Sequence, residues 1–425
     1  MRFDSLKQWL DWQLQLHDKA IDLGLDRVGA VAQRLGIGKI AGKVITVAGT
    51  NGKGSTVAAY ESWLRSAGFS VASYTSPHLL DYNERIKLNL ESVSDSELCE
   101  AFAAIDLARQ ETALTYFEFG TLAALFLIQQ WQPDYAILEV GLGGRLDAVN
   151  LIDADLVHLT PVDIDHQAWL GDNREKIGFE KAGVLRPHIP VIVADPDPTR
   201  SVRSEIDRHG CDSLYYGVDF EAVDRQDGEF TWRCGQLEYR ISAALTGEHQ
   251  IQNTAAVVAG LSKLLPLSEY TASEIRQFFM GTRLRGRFER IDSCGEFQLY
   301  LDVGHNHHAA LALASSISKL RGTNGRVVVL LGMLEDKQPD LFVEALQAVV
   351  DDWWLLTLNA DRGLSSQQLQ ARIASQVTAE HYFETAPEAL EHALSSLHNE
   401  DIMLVTGSFV TVEQLLRALP NSGES

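Results

Sequence analysis

KVITVAGTNGKGSTVAAY, residues 43–60, is the stretch whose reading decides the fold. It opens on a short apolar, β-branched run, Val44 to Val47, the pattern of a buried strand. The loop Gly49-Thr50-Asn51-Gly52-Lys53-Gly54-Ser55 follows, and then a helical period that sets Val57, Tyr60, Trp63 and Leu64 on one face. Strand, glycine loop and helix together form a cradle for phosphate. Glycines let the backbone amides turn inward without a Cβ in the way, and the helix start favours an anion. Lys53 adds a mobile positive charge for the outer phosphates, and Ser55 or Thr56 a hydroxyl near a metal. The spelling departs from the usual G-x-x-x-x-G-K-[ST], because the loop is shorter and Gly54 separates Lys53 from Ser55. The alternative is an ordinary strand-to-helix turn. Three glycines, a lysine and two hydroxyls within seven residues argue against it.

Upstream, residues 5–17 carry an amphipathic helical pattern, and Asp22 to Val28 reads as a loop opening a second helix that ends near Gly36. Downstream, Phe69 to Tyr74 is a strand running into Thr75-Ser76-Pro77-His78. Pro77 keeps Ser76 extended at the carboxyl end, where ligands of open parallel sheets gather. Ser94 to Glu97 is a capping box for a helix to about Gln110, and Thr115 to Glu118 starts another, to Trp131. Tyr135 to Val140 is a strand that carries Glu139 and leads into Gly141-Leu142-Gly143-Gly144-Arg145-Leu146-Asp147-Ala148. Leu156 to Thr160 is a strand followed by Asp163-Ile164-Asp165-His166, residues 173–183 read as a helix bearing Lys181, and Val191 to Ala194 is a fifth strand. This alternation predicts a doubly wound, mostly parallel sheet. Residues 215–241 alternate as a small antiparallel elaboration, and a helix with Gln250 and Asn253 follows. A second α/β pattern starts near Ile291, with strands at 297–303, 327–331, 353–358 and 402–405. The expected architecture is therefore a P-loop-type domain over 1–290 and a smaller, Rossmann-like α/β domain over 291–425, with Pro420 to Ser425 as a disordered tail.

The chain has 425 residues, too long for one ordinary core, with 45% hydrophobic and 22% charged residues. No apolar run reaches membrane-spanning length, and charges interrupt the apolar N-terminal positions, which argues against a signal peptide. Four scattered cysteines, Cys99, Cys211, Cys234 and Cys294, form no C-x-x-C; a reducing, cytoplasmic setting is expected. The net charge of −22 argues against nucleic acid as a partner. Anionic substrates then require locally concentrated positive charge, for which Lys53, Arg85, Arg145, Arg285 and Arg287 are candidates.

In a parallel sheet the carboxyl ends of strands share one edge, so Ser76, Glu139 and His166 converge near the phosphate loop. A hydroxyl and a carboxylate suit magnesium, which prefers oxygen and keeps several waters. Imidazole suits softer metals better, and a hydrogen-bonded structural role for His166 stays open. Lys181 by itself reads as a solvated helix lysine. In the second unit, Asp302 ends a strand and could hold a ribose hydroxyl. His305, His307 and His308 follow, but adjacent His307 and His308 lack helical spacing for a ligand pair. Arg287, after Gly286, suits a phosphate through its fork of donors.

The motifs GTNGKGS, YTSPHL, EVGLGGRLDAVN, DHQAWLG, FEKAG, LRGRFE and DVGHNHHA occur in this order. As a set they resemble folylpolyglutamate synthase and its bacterial bifunctional form, dihydrofolate synthase/folylpolyglutamate synthase, within the ATP-dependent amide ligases related to the muropeptide ligases. The resemblance implies that Thr50, Asn51, Gly52, Lys53, Gly54 and Ser55 hold the triphosphate, and that Asn253, Arg287 and Asp302 reach ATP. It implies magnesium positions at Ser76, Glu139 and His166, a carbamylated Lys181 that ligates a second Mg²⁺, and catalytic roles for Lys53, Lys181 and His305. It places the pterin against Asp22, Leu23 and Gly24, against Thr115, Tyr116, Phe117 and Glu118, and against Leu146, Asp147 and Ala148. Implied substrates are dihydropteroate, tetrahydrofolate with its polyglutamates, and L-glutamate. The family is usually monomeric, and a site shared by two domains implies closure around ATP. Glycine at 304 and histidine at 307 replace the alanine and proline usual in the family. A synthase acting on folates alone, or another muropeptide-type amide ligase, is the alternative.

Overall fold

The computed structural model describes residues 2–226, 228–292, 295–322 and 325–419; Cys294 and the tail from Pro420 lie outside them. The chain forms two compact units. One comprises residues 1–244 and 251–282, and the other residues 245–250 and 283–425.

The first unit is built on a sheet of β1 (Lys43–Ala48), β2 (Val71–Tyr74), β3 (Ile86–Leu88), β4 (Glu91–Ser92), β5 (Tyr135–Glu139), β6 (Leu156–Leu159), β7 (Pro190–Val193) and β8 (Asp212–Tyr215). The strand order is β4-β3-β2-β5-β1-β6-β7-β8. Strands β2, β5, β1, β6, β7 and β8 are parallel, and β3 and β4 add an antiparallel edge. Successive side chains of a strand point to opposite faces, and both faces here are apolar. Val44, Ala48, Ala136 and Leu138 join one core; Ile45, Val47, Tyr135 and Ile137 join the other. That is why the strands read as continuous apolar runs rather than alternating ones. Helices cover one face, among them Asp95–Arg109 and Tyr116–Trp131 with the expected capping boxes at Ser94 and Thr115. The other face carries helices Lys53–Ser66 and Glu248–Leu264. The antiparallel sheet β9 (Phe220–Gln226), β10 (Glu229–Cys234) and β11 (Leu237–Ser242) buries Phe230, Trp232 and Ile241 against the same face.

The chain places β2 and β5 on one side of β1, then crosses to β6 on the other. β1 is thus the point where the winding reverses, and the loop after it is where an open α/β sheet offers its crevice.

The second unit has a sheet of β12 (Glu289–Ile291), β13 (Gln298–Leu301), β14 (Val327–Leu331), β15 (Asp352–Leu356), β16 (His381–Phe383) and β17 (Ile402–Thr406). Its order is β12-β13-β17-β14-β15-β16, parallel except for the antiparallel edge β12. The expected alternation holds, and the differences lie at ends and edges. The first helix stops at Gln13 rather than 17, since Leu14 already faces solvent at 65% exposure. The short strands β3, β4, β8, β12 and β16 were not expected. Each lies at or next to a sheet edge, where pairing to a neighbour rather than an apolar pattern of their own creates them.

Candidate functional site

The phosphate loop leaves β1 at Gly49 and enters the helix through Gly52, whose φ of +89° is left-handed. The N-cap residue is Gly52 itself, which carries no capping side chain, and a helix start of this kind favours an anion. Gly49 has φ +147°, and a Cβ there would sit inside the Thr160 hydroxyl. Gly49→Ala should therefore cost ~2 kcal/mol or more through strain and overlap. A melting curve checks this, with Gly38→Ala, which meets nothing within 4 Å, expected to be close to neutral.

Two amines meet on one carbonyl. Lys53 Nζ donates to Gly49 O at 3.2 Å and Thr50 O at 3.1 Å. Lys181 Nζ, from helix Arg174–Ala182, donates to the same Gly49 O at 2.7 Å. Lys181 is buried, and that burial, followed by the charge of Lys53, lowers its pKa to about 7, with Asp165 and Asp147 pulling the other way. A solvated helix lysine would not behave so. The approach of this helix needs Gly144, where a Cβ would lie 2.8 Å from Lys181 O. Thr50 Oγ1 donates to Asp163 O at 3.0 Å, tying the loop to the segment after β6. Asn253 lies against the opposite side of the loop, its Oδ1 2.9 Å from where a Cβ of Gly52 would be. Ser55 is buried, and the buried Thr56 hydroxyl has no hydrogen-bond partner among the described residues.

Glu139 is buried at the end of β5, and its Oε2 accepts from the Ser76 amide at 3.2 Å. The structure thus joins these two candidates. His166 takes a left-handed conformation, φ +52°, at the start of a short helix; its side chain is 40% exposed, with Nε2 3.9 Å from Asp165. A buried carboxylate at the end of a strand paired with β1, next to Ser76, is the kind of oxygen ligand that suits Mg²⁺.

On the pterin-side stretches, Arg27 brings separate segments together. It donates to Asp22 Oδ2 at 2.6 Å and to Glu118 Oε1 at 2.8 Å. Thr115 and Glu118 also cap their own helix, while Tyr116 and Phe117 are half-buried and Phe117 packs where a Cβ of Gly141 would lie. Leu23, Gly24 and Leu146 are half-buried and Ala148 buried. Asp147 is buried, accepting from the Leu142 amide at 2.8 Å and the Val149 amide at 2.9 Å. Burial pushes its carboxyl up to about 6, and the backbone amides and Lys53 restrain the rise.

The second unit presents Asp302 at the end of β13. It is buried, accepting from the Phe288 amide at 2.8 Å and the Gly304 amide at 2.7 Å. Burial raises its pKa and Arg287 opposes the rise. Arg287 lies over the Phe409 ring at 5.1 Å. His305 Nδ1 is 2.9 Å from Val303 O, so a carbonyl partner requires the proton at Nδ1. His307 Nδ1 meets Leu341 O at 3.0 Å. No group of three or more His, Cys, Asp or Glu suited to a metal occurs among the described residues.

Two of the candidate cations are paired with carboxylates. Arg145 is paired with Glu180 at 2.9 Å and Arg285 with Glu289 at 3.4 Å. Arg85 is buried, donates to His78 at 2.9 Å and stacks on Tyr82 and Tyr116. Sequence reasoning did not single out Arg27 or Asp165. The signal for Arg27 was its place at the start of helix Asp26–Arg34, just after the glycine-containing loop Asp22-Leu23-Gly24-Leu25.

Residues 47–261 match the Mur ligase middle domain, and 286–409 the Mur ligase glutamate ligase domain. The chain is 39% identical over 416 residues to dihydrofolate synthase/folylpolyglutamate synthase of Escherichia coli, covering 97% of this chain and 95% of that one. It is 37% identical to the Haemophilus influenzae protein of the same name, covering 96% of each. Among solved structures, E. coli FolC in complex with DHPP and ADP superposes with a TM-score of 0.91 at 38% identity, covering 97% of both chains. A bifunctional enzyme from Yersinia pestis complexed with AMPPNP and Mn ion gives 0.89 at 37% identity, covering 98% of both. No helix among the described residues is long and apolar enough to cross a membrane.

Proposed function

The chain belongs to the dihydrofolate synthase/folylpolyglutamate synthase family of Mur ligases, and from that premise we propose how its residues serve ATP-dependent ligation of L-glutamate. The acceptors are dihydropteroate, giving dihydrofolate, and the glutamate tail of tetrahydrofolates. The observation that carries this reading is the meeting of Lys53 and Lys181 on Gly49 O, beside a helix start whose N-cap is Gly52.

The substrate carboxylate attacks the γ-phosphorus of ATP. The bond to the bridging oxygen breaks, ADP leaves, and an acyl phosphate remains. The amine of L-glutamate attacks that carbonyl, phosphate departs and the amine loses a proton. The chain's own work is positioning and charge neutralisation. Lys53 and the loop Thr50 to Ser55 hold the phosphates. Asn253, Arg287 and Asp302 are assigned to the nucleotide, and His305 to the reacting groups. Ser76, Glu139 and His166 would hold Mg²⁺, which supplies positive charge to the phosphate oxygens. Lys181, once carbamylated, is an anionic ligand for a second ion. Asp22 to Gly24, Thr115 to Glu118 and Leu146 to Ala148 receive the pterin. The phosphate loop and the pterin-side stretches belong to the first unit, the glutamate ligase domain match at 286–409 lies in the second, and the chain acts as a cytoplasmic monomer.

ADP release with Mg-ATP and L-glutamate tests the reading. Both dihydropteroate and tetrahydrofolate should stimulate it. Stimulation by tetrahydrofolate alone leaves a polyglutamylating enzyme, and stimulation by neither points to another amide ligase of the Mur type.

A further inference from the structure

We propose that Arg27 is a positioning residue for the pterin substrate, holding two separate segments in register as one binding wall. The inference rests on the folate reading above and adds a residue to it.

One guanidinium makes three contacts. Nη1 donates to Asp22 Oδ2 at 2.6 Å, while Nη2 donates to Asp22 O at 3.1 Å and to Glu118 Oε1 at 2.8 Å. Glu118 is buried, and its other oxygen accepts from the Thr115 amide at 2.8 Å. A chain of contacts therefore runs from the 22–24 loop, through Arg27, to the first turn of helix Tyr116–Trp131. Helix Asp26–Arg34 also packs on helix Tyr116–Trp131, and the guanidinium ties the loop before the one to the first turn of the other. The loop lies between helices Leu6–Gln13 and Asp26–Arg34 and has no regular hydrogen-bond ladder of its own.

The arrangement is poorly explained as stabilisation alone. Arg27 Nε is buried with no partner among the described residues, so the side chain carries a desolvation cost. Ion pairs with buried members are weak contributors to stability, and fixing register is their better attested use. The flanking groups are all accounted for. His17 Nε2 lies 3.5 Å from Asp22 Oδ2, and Lys19 donates to Asp22 Oδ1 at 3.2 Å. Both bear on Asp22 from its own loop, and among the described residues Arg27 is the one cation paired with Glu118. Hydrogen bonds from Lys19 and then Arg27 hold the Asp22 carboxyl below its ordinary range, so Asp22 stays ionised at neutral pH.

The test is steady-state kinetics on full-length Arg27→Gln and Arg27→Lys. In Arg27→Gln the KM for dihydropteroate should rise about tenfold, the size expected when charge-assisted contacts that fix a loop are lost. KM for ATP and kcat at saturation should stay within about twofold, as expected when only ground-state positioning is lost. Arg27→Lys should rescue only part of the effect, because a single ammonium cannot reproduce the fork to both carboxylates. An unchanged pterin KM overturns the proposal. An equal rise in ATP KM, or full rescue by lysine, also overturns it by marking a merely structural charge. Absence of pterin-stimulated ADP release in the unsubstituted protein would instead remove the folate reading itself.

Discussion

Lys53→Ala is expected to abolish glutamate-dependent ADP release, a loss of about a thousandfold or more, the range seen when a preorganised charge on a transferring phosphoryl group is removed. The amine is not loosely exposed. It is held on two loop carbonyls, Gly49 O and Thr50 O, at the start of a helix whose N-cap is Gly52. Backbone amides alone can bind phosphate, so ATP affinity should fall less than turnover does. A second effect follows from its neighbours. Lys53 is one cause of the low pKa of Lys181 and restrains the rise at Asp147. Its removal should therefore raise both, which titration of isotope-labelled side chains by NMR reads independently of activity. Lys53→Arg keeps the charge but not the compact ammonium and should recover little turnover. Unchanged ADP release in Lys53→Ala would remove the assigned role.

The second large effect concerns Lys181. An ordinary lysine is charged up to about 10.5, whereas burial and Lys53 bring this one to about 7. Only the neutral amine adds to CO₂. Its free base therefore predominates above about pH 7 and is lost as pH falls below it. Carbamate at Lys181 should form as pH rises through that value and disappear on acidification. A ¹³C carbamate signal from protein in labelled bicarbonate measures it, and Lys181→Ala should lack it. That variant should also lose about a hundredfold in turnover, in the range for deleting a group that organises transition-state charge. Bicarbonate should stimulate the unsubstituted protein and leave Lys181→Ala unaffected. A spectrum without carbamate at pH 8, or a variant of ordinary activity, would show that Lys181 serves as an amine or as structure.

Much of the molecule was legible along the chain because its signals are short-range. Strand, glycine loop and helix at 43–60 follow from local sterics and periodicity, and so do the capping boxes at Ser94 and Thr115. The apolar runs at Val44 to Val47 and Tyr135 to Glu139 announce strands covered on both faces. The order of motifs pointed to the family, to which the matches over 47–261 and 286–409 also lead. What composition and spacing could not fix is which distant groups touch. Lys181 reads as a surface lysine until the crossing of β6 past β1 sets its helix against Gly49, 132 residues away in sequence. Arg27 and Glu118 meet across 91 residues. Arg145 and Arg285, equal on paper to Lys53 as phosphate ligands, lie beside carboxylates. Charge and residue type are written in the sequence; desolvation and pairing depend on what the folded chain packs around each group, and they distinguish Lys181 and Asp147 from other lysines and aspartates.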